Sequence, residues 1–224
     1  MRKILIAVMA MVSMFWFTSP THATLWDRGG GLIYDDVLNI TWLQDANYAQ
    51  TSGYDANGRM TWDAARTWAE SLVYGGYSDW RLPSTVDGPY EWGYDGSNTA
   101  GYNITTSEMG YMYYVNLGNL GYYATDGTNP QLGWGLSNTG PFTNLQPFIY
   151  WSGTEYSAYP LLAWVFGFDF GGQGYDGKGD DVYAWAVRPG DVSAPVPEPA
   201  TMLLLGSGLA GLGLYRRKTG RRHR

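Results

Sequence analysis

The chain has 224 residues, a length that suits one domain with short appendages. Hydrophobic residues make up 45%, charged residues 15% and aromatics 17%, with 11 Trp and 19 Tyr, so there is enough apolar area to offset chain entropy and general disorder is excluded. Cysteine is absent and the two histidines sit near the ends, at His22 and His223, which excludes disulfide frameworks, thiol nucleophiles, Cys-ligated metals and histidine general bases from the middle of the chain.

Residues 1–23 read as a secretory signal peptide. Arg2 and Lys3 supply the charge, residues 4–17 are apolar apart from Ser13, and Ala23 gives a small residue before a cut at Thr24. Residues 32–43 alternate around Asp35-Asp36 and predict two short strands, with Ile40 and Trp42 as strand formers. Asp55, Asn57 and Gly58 are turn residues. Thr61 is placed to cap a helix in which Trp62, Ala65, Trp68, Ala69 and Leu72 fall at helical spacing, and Gly75-Gly76 is placed to end it. Thr105-x-x-Glu108 has capping-box spacing for a second helix to about Asn116, with Met109, Met112, Tyr113 and Leu117 on its apolar face.

Residues 118–147 are rich in Gly, Asn, Thr and Pro and read as a long ordered loop. Three strands are expected after it: residues 148–154, then 163–170 with Phe166, Phe168 and Phe170 on one side, then 182–188 with Tyr183, Trp185 and Val187 on one side. Residues 171–181 are expected as the turn joining the last two as a hairpin. The fold class expected is α+β: two helices packed on a small, mostly antiparallel sheet with long loops.

The C-terminal end has three parts in order. Pro197, Glu198 and Pro199 end a Pro-rich linker over residues 191–199. Residues 200–215 are apolar or small, somewhat short of the roughly 20 a spanning helix needs. Arg216, Arg217, Lys218, Arg221, Arg222 and Arg224 close the chain, a cluster that favours the cytoplasmic side of a membrane. The arrangement resembles the PEP-CTERM sorting signal. That resemblance implies an exosortase as partner, export from a bacterium with an outer membrane, a transmembrane anchor before processing, and cleavage near Pro197-Glu198-Pro199. Without the two ends, residues 24–199 keep 6 of the 14 Lys and Arg and all 20 Asp and Glu, a net charge of −14 that repels nucleic acid and anionic lipid.

The central part carries a second set of motifs: TWDAARTWAESL leading into GGYSDWRLPS, then YWSGTEY, LAWVFGFDFGG and YAWAVRPG. Together, from about Leu32 to Gly190, these resemble the Lcl C-terminal-domain family, and the expected domain spans residues 24–190. The resemblance implies a C-type-lectin-like fold in the branch of the formylglycine-generating enzyme, and a role in surface adhesion or polysaccharide binding. Ser152-Gly153-Thr154 stands where the family shows Ser-Ser-Thr. The cysteines of the formylglycine-generating relatives and the histidines of iron-dependent ones are missing, so neither activity carries over and the expectation is that the protein is not an enzyme.

Residue chemistry gives its own reading beside this one. In Trp80-Arg81-Leu82-Pro83, the proline holds Leu82 extended. Trp80 and Leu82 then face the core while Arg81 faces away, toward an ion pair with Asp79, Glu70 or Asp63. Trp151, Trp164 and Trp185 read as core. Asp176, Asp180 and Asp181, and separately Asp35-Asp36, leave a Ca²⁺ site open, although Lys178 breaks the EF-hand spacing and solvated turn residues are the default. Exposed aromatics among hydroxyl-pairing side chains suit sugar rings, which points to Trp92, Tyr94, Asp95, Asn98 and Trp134 in two loops as a ligand-binding surface; the alternative is that these rings cover the loops' own small core. A carboxylate-based hydrolase acting on extracellular polysaccharide and a purely structural matrix protein are the competing functions.

Overall fold

The computed structural model describes residues 25–192. The signal peptide at 1–23, the linker from 193 on, the sorting residues Pro197, Glu198 and Pro199, and the apolar and basic tail at 200–224 lie outside the described residues.

A meander of three strands opens the domain: β1 (Leu25–Gly29), β2 (Leu32–Asp35) and β3 (Ile40–Leu43). A single helical turn, α1 (Tyr48–Thr51), and β4 (Arg59–Met60) lead into α2 (Trp62–Ser71). Next come β5 (Trp92–Gly93) and β6 (Ala100–Gly101), then α3 (Glu108–Tyr111), which widens into a π-helical turn over Met112–Asn116. The chain finishes with β7 (Ile149–Glu155), β8 (Leu162–Gly167), β9 (Gly172–Gly177), β10 (Val182–Tyr183) and β11 (Val187–Pro189). Two sheets form, one in the order β1-β2-β3-β11 and the other in the order β4-β10-β7-β8-β9-β6-β5. All pairings are antiparallel except β10 with β7 and β5 with β6. A four-stranded antiparallel sheet, a seven-stranded mixed sheet and a few short helices give an α+β architecture.

The two sheets meet at Trp185, in the three-residue link between β10 and β11. Its indole N–H donates to the Leu43 carbonyl at 2.7 Å, and its ring lies 4.5 Å from that of Trp42 and 4.8 Å from that of Phe142. Trp151 and Trp62 are tied in the same manner, to the carbonyls of Met60 and Ser152 at 2.8 Å. A buried indole that finds an acceptor contributes its full apolar area without an unpaired donor. Trp151, Trp164 and Trp185 are fully buried, as the sequence predicts.

Helix α2 follows the expected spacing, with Trp62, Ala65, Trp68 and Ala69 buried. Thr61 occupies the cap position through its backbone, but its hydroxyl makes no capping bond; the Trp62 N–H instead donates to the Lys178 carbonyl at 3.0 Å. The helix stops at Leu72, where the backbone turns extended, ahead of Gly75-Gly76. The second helix is capped by Ser107, whose Oγ accepts from the Gly110 N–H at 3.1 Å, and not by Thr105. Glu108 is unavailable for a capping box because its carboxylate binds Arg81 through both oxygens at 2.7 Å and also accepts the Ser84 N–H.

That pair corrects the expected partner of Arg81. Asp79 is taken by Arg188 at 2.8 Å and Glu70 by Arg66 at 3.0 Å, one turn away on α2. Trp80 and Leu82 are buried as expected, and Arg81 exchanges two backbone hydrogen bonds of 2.8 Å with Val187, which ties the motif to β11.

The larger correction concerns residues 171–181. The glycines of this segment read as a turn, but Gly172–Gly177 is a full strand, β9, pairing along the whole of β8. The turn of that hairpin lies earlier, at residues 168–171. Phe166 and Phe168 are buried, whereas Phe170 sits in the turn and is exposed. The expected strand 182–188 is likewise two short strands in different sheets, β10 and β11, divided at the buried residues 184–186. Residues 118–147 contribute to neither sheet. Buried Asn119 organises this loop: its Oδ1 accepts from the Ser137 N–H, the Ser137 hydroxyl and the Asn138 N–H, and its Nδ2 donates to the Asn138 carbonyl.

Candidate functional site

One end of the larger sheet is built from glycine-rich strands. In the register of β8 and β9, Val165 faces Gly174 and Gly167 faces Gly172, so these four share one side of the sheet. Three of them lack a side chain, and the result is a shallow cleft of about 260 Å³. A Cβ built on Gly174 would meet nothing within 4 Å, so packing does not demand a glycine there. Its effect is to keep the cleft open.

Trp92, Tyr102 and Phe170 wall the cleft. Trp92 is carried by β5, which lies on β6 only because Gly101 adopts φ +106; a Cβ at that position would fall 1.8 Å from the Gly93 carbonyl oxygen. Phe170 is fixed by Gly171, at φ +76, where a Cβ would press on the Tyr114 hydroxyl and the backbone of Gly121. The loop after Gly121 can therefore close on the turn, and the Tyr122 N–H donates to the Phe170 carbonyl at 2.7 Å.

The aromatic rings continue beyond the cleft as a belt. Trp92 meets Tyr94 at 5.6 Å and Tyr123 at 5.5 Å; Tyr123 adjoins Tyr122 at 5.3 Å; Tyr122 meets Trp134 at 5.0 Å; and Trp134 stacks on Phe170 at 5.2 Å. Asn103 clamps the two loops, its amide donating to the carbonyls of Tyr94 at 2.6 Å and Tyr123 at 2.9 Å. Trp92, Tyr94, Trp134 and Phe170 are between 38% and 47% exposed, so each presents part of its ring to solvent.

Of the sequence-predicted residues, Trp92, Tyr94 and Trp134 come together in this belt. Asp95 and Asn98 are close in sequence but occupied in the turn between β5 and β6. Asp95 accepts both the N–H and the hydroxyl of Ser97, bonds that hold its carboxyl below the usual range, and Asn98 accepts from the same hydroxyl. Sequence reasoning missed Tyr102, Tyr122, Tyr123, Phe170 and Asp169. A signal was present for Phe170, since Gly171-Gly172 marks a turn where the alternation of phenylalanines would otherwise run on.

Asp169 and Gln173 also line the cleft, Gln173 from a register position whose side chain lies on the opposite side of the sheet from Gly172 and Gly174. Gln173 is buried and committed on both ends, accepting from the Thr85 hydroxyl at 3.0 Å and donating to the Thr99 carbonyl at 2.8 Å. Asp169 is half-buried; it accepts the Phe170 N–H at 2.9 Å, and burial pushes its carboxyl above the usual range. Asp169 is the single carboxylate among the lining residues.

The other depressions are less suited to a ligand. A cleft of about 240 Å³ beside α2 contains Arg66 and Arg81, but their partners Glu70 and Glu108 already engage both guanidiniums. A second tyrosine group covers itself, with Tyr156 and Tyr175 stacked 5.1 Å apart at 7°. The acids considered for Ca²⁺ are drawn into local bonds: Asp35 accepts the N–H groups of Val37 and Leu38 and the Asn116 amide, while Asp176 accepts the Gly177 N–H. Among the described residues, no group of three or more Asp or Glu is arranged to hold a metal ion. Nor is any helix among them long and apolar enough to cross a membrane.

No curated protein and no solved structure matches the chain. A match to the PEP-CTERM protein-sorting motif covers residues 195–218, which includes Pro197, Glu198 and Pro199. The motif indicates an exported protein, sorted by an exosortase to the cell surface or the extracellular space.

Proposed function

We propose that the protein is a non-catalytic surface or matrix component that binds extracellular polysaccharide through the aromatic belt. The belt is the observation that carries this reading. Rings exposed on a rigid sheet edge, around a cleft kept open by glycines, offer stacking faces to sugar rings at little entropic cost. The sorting motif supports the reading, because it indicates export to the cell surface or the extracellular space. The reading includes the resemblance to the Lcl C-terminal-domain family and its C-type-lectin-like fold, which rests on the motifs around WRLP, YWSGT and the final Val-Arg strand. It also includes a temporary inner-membrane anchor formed by residues 200–215, with the basic tail on the cytoplasmic side until the exosortase acts.

Binding is favoured over hydrolysis because paired-carboxylate chemistry takes two acids across the scissile bond, and the cleft is lined by Asp169 alone. The test is a glycan array probed with the full chain in detergent beside a Trp92→Ala, Trp134→Ala double variant. Polysaccharide binding that falls at least tenfold in the variant supports the reading. Signal no higher for the natural chain than for the variant overturns it.

A further inference from the structure

Resting on the polysaccharide reading, we infer that the cleft selects a cationic glycan, one whose sugars carry free amino groups, with Asp169 as the partner of the ammonium. Three independent features converge on this. The first is the shape of the walls. Trp92 and Tyr102 stand 86° to one another with centroids 6.1 Å apart, forming an aromatic corner in a cleft that Phe170 also lines. The π-faces of such a corner attract a cation, and the attraction grows as the site is desolvated.

The second is the position of Asp169. It lines the same cleft and accepts the Phe170 N–H, and no lysine or arginine pairs with it among the described residues. Among the described residues no cation is left to pair with it. Of the six Lys and Arg in residues 25–192, five are in ion pairs with other carboxylates, and Arg59 donates to the Asp181 carbonyl while lying over the Phe148 ring. A half-buried carboxylate without a counterion gains most from a cation brought by the ligand, since burial disfavours its charged form until an opposite charge arrives.

The third is long-range charge. With a net charge of −14 over residues 24–199, the exported part repels acidic polysaccharides and draws in basic ones. That field alone would act on any polycation, so Asp169 has to be tested separately from it.

The test uses the full chain in detergent and two probes, a β-1,4-linked glucosamine hexamer with free amines and the same hexamer fully N-acetylated. At a pH where the amines are protonated, the free-amine hexamer is expected to bind at least tenfold more tightly. Asp169→Asn, which keeps an acceptor for the Phe170 N–H, should remove that preference. Asp63→Asn, at an exposed position in the first turn of α2, removes the same charge elsewhere and should preserve it. Trp92→Ala, at an exposed ring, should weaken both probes. Equal binding of the two hexamers by the natural chain overturns the inference without any variant, and so does a preference that survives Asp169→Asn, which would assign it to the general field. Either result leaves the polysaccharide reading standing if other glycans on the array bind. If no glycan binds, both readings fall.

Discussion

Trp134 and Phe170 stack with ring centroids 5.2 Å apart and planes 12° from parallel. One comes from the long loop and the other from the turn between β8 and β9, so the contact joins the loop to the sheet. Because both rings are roughly two-fifths exposed, removing either should cost the fold only about 1 kcal/mol. The same change removes a stacking face, and polysaccharide affinity should fall about tenfold, the equivalent of about 1.4 kcal/mol. Denaturant unfolding and a binding titration of Trp134→Ala and Phe170→Ala check the two numbers together. A large stability loss with unchanged binding would show that the rings serve the loop's own packing.

Gly174 and Gly101 lie in adjacent strands but predict opposite outcomes. At Gly174 a side chain enters open space, and a β-branched residue suits a strand, so Gly174→Val should leave stability within about 1 kcal/mol of the natural chain while filling the cleft and abolishing binding. At Gly101 the Cβ would overlap the Gly93 carbonyl, and Gly101→Val should cost about 3 kcal/mol. Thermal melts of the two variants separate a glycine kept for an open surface from one kept for backbone geometry.

Asn103 holds φ +58 and clamps Tyr94 to Tyr123. Asn103→Gly relieves the backbone, worth about 1 kcal/mol, and removes two hydrogen bonds, each worth about 1 kcal/mol net. The balance is a loss of about 1 kcal/mol. Binding should weaken several-fold because the belt is no longer held in one arrangement. A titration in which Asn103→Gly binds as the natural chain does would show that the clamp does not position the rings.

Arg188 bonds Asp79 through two nitrogens and lies 4.0 Å over the Tyr77 ring. The Arg188 hydrogen bond holds the Asp79 carboxyl below its ordinary value. A lowered folded-state pKa means stability that is fully present above the unfolded value, about 3.9, and lost as pH falls through the folded value. Since Asp79 is 46% exposed, solvent screens the pair, and Asp79→Asn should cost only about 1 kcal/mol at pH 7. That cost should shrink as the pH is lowered from 7 to about 2, through the lowered folded value. Urea unfolding at the two pH values checks the sign; an equal penalty at both would contradict it.

The sequence made the elements with strong periodicity legible. Helix α2, the strands around Asp35-Asp36 and the buried Trp151, Trp164 and Trp185 follow from spacing and ring size. It failed where glycine has two meanings. Gly172, Gly174 and Gly177 signal a turn by propensity, yet here they lie in a strand whose partners β8 and β6 supply the packing that propensity omits. The same misreading hid the cleft, since an open surface left by missing side chains has no positive sequence signal. Partners of charged groups were also out of reach: Arg81 had three nearby acids, and the one it binds, Glu108, is brought to it by α3. Trp92, Tyr94 and Trp134 could be singled out as exposed aromatics in loops, but Tyr122, Tyr123 and Phe170, which join them into one surface, depend on contacts between distant segments.

Hydrogen–deuterium exchange of the full chain, with and without a polysaccharide that the array selects, tests the location of the site most directly. Protection should concentrate at residues 92–102, 120–134 and 167–174, the three segments that form the belt and the floor of the cleft. Protection confined to the arginine cleft beside α2, or an exchange pattern unchanged by saturating polysaccharide, would contradict the assignment of this surface to glycan binding.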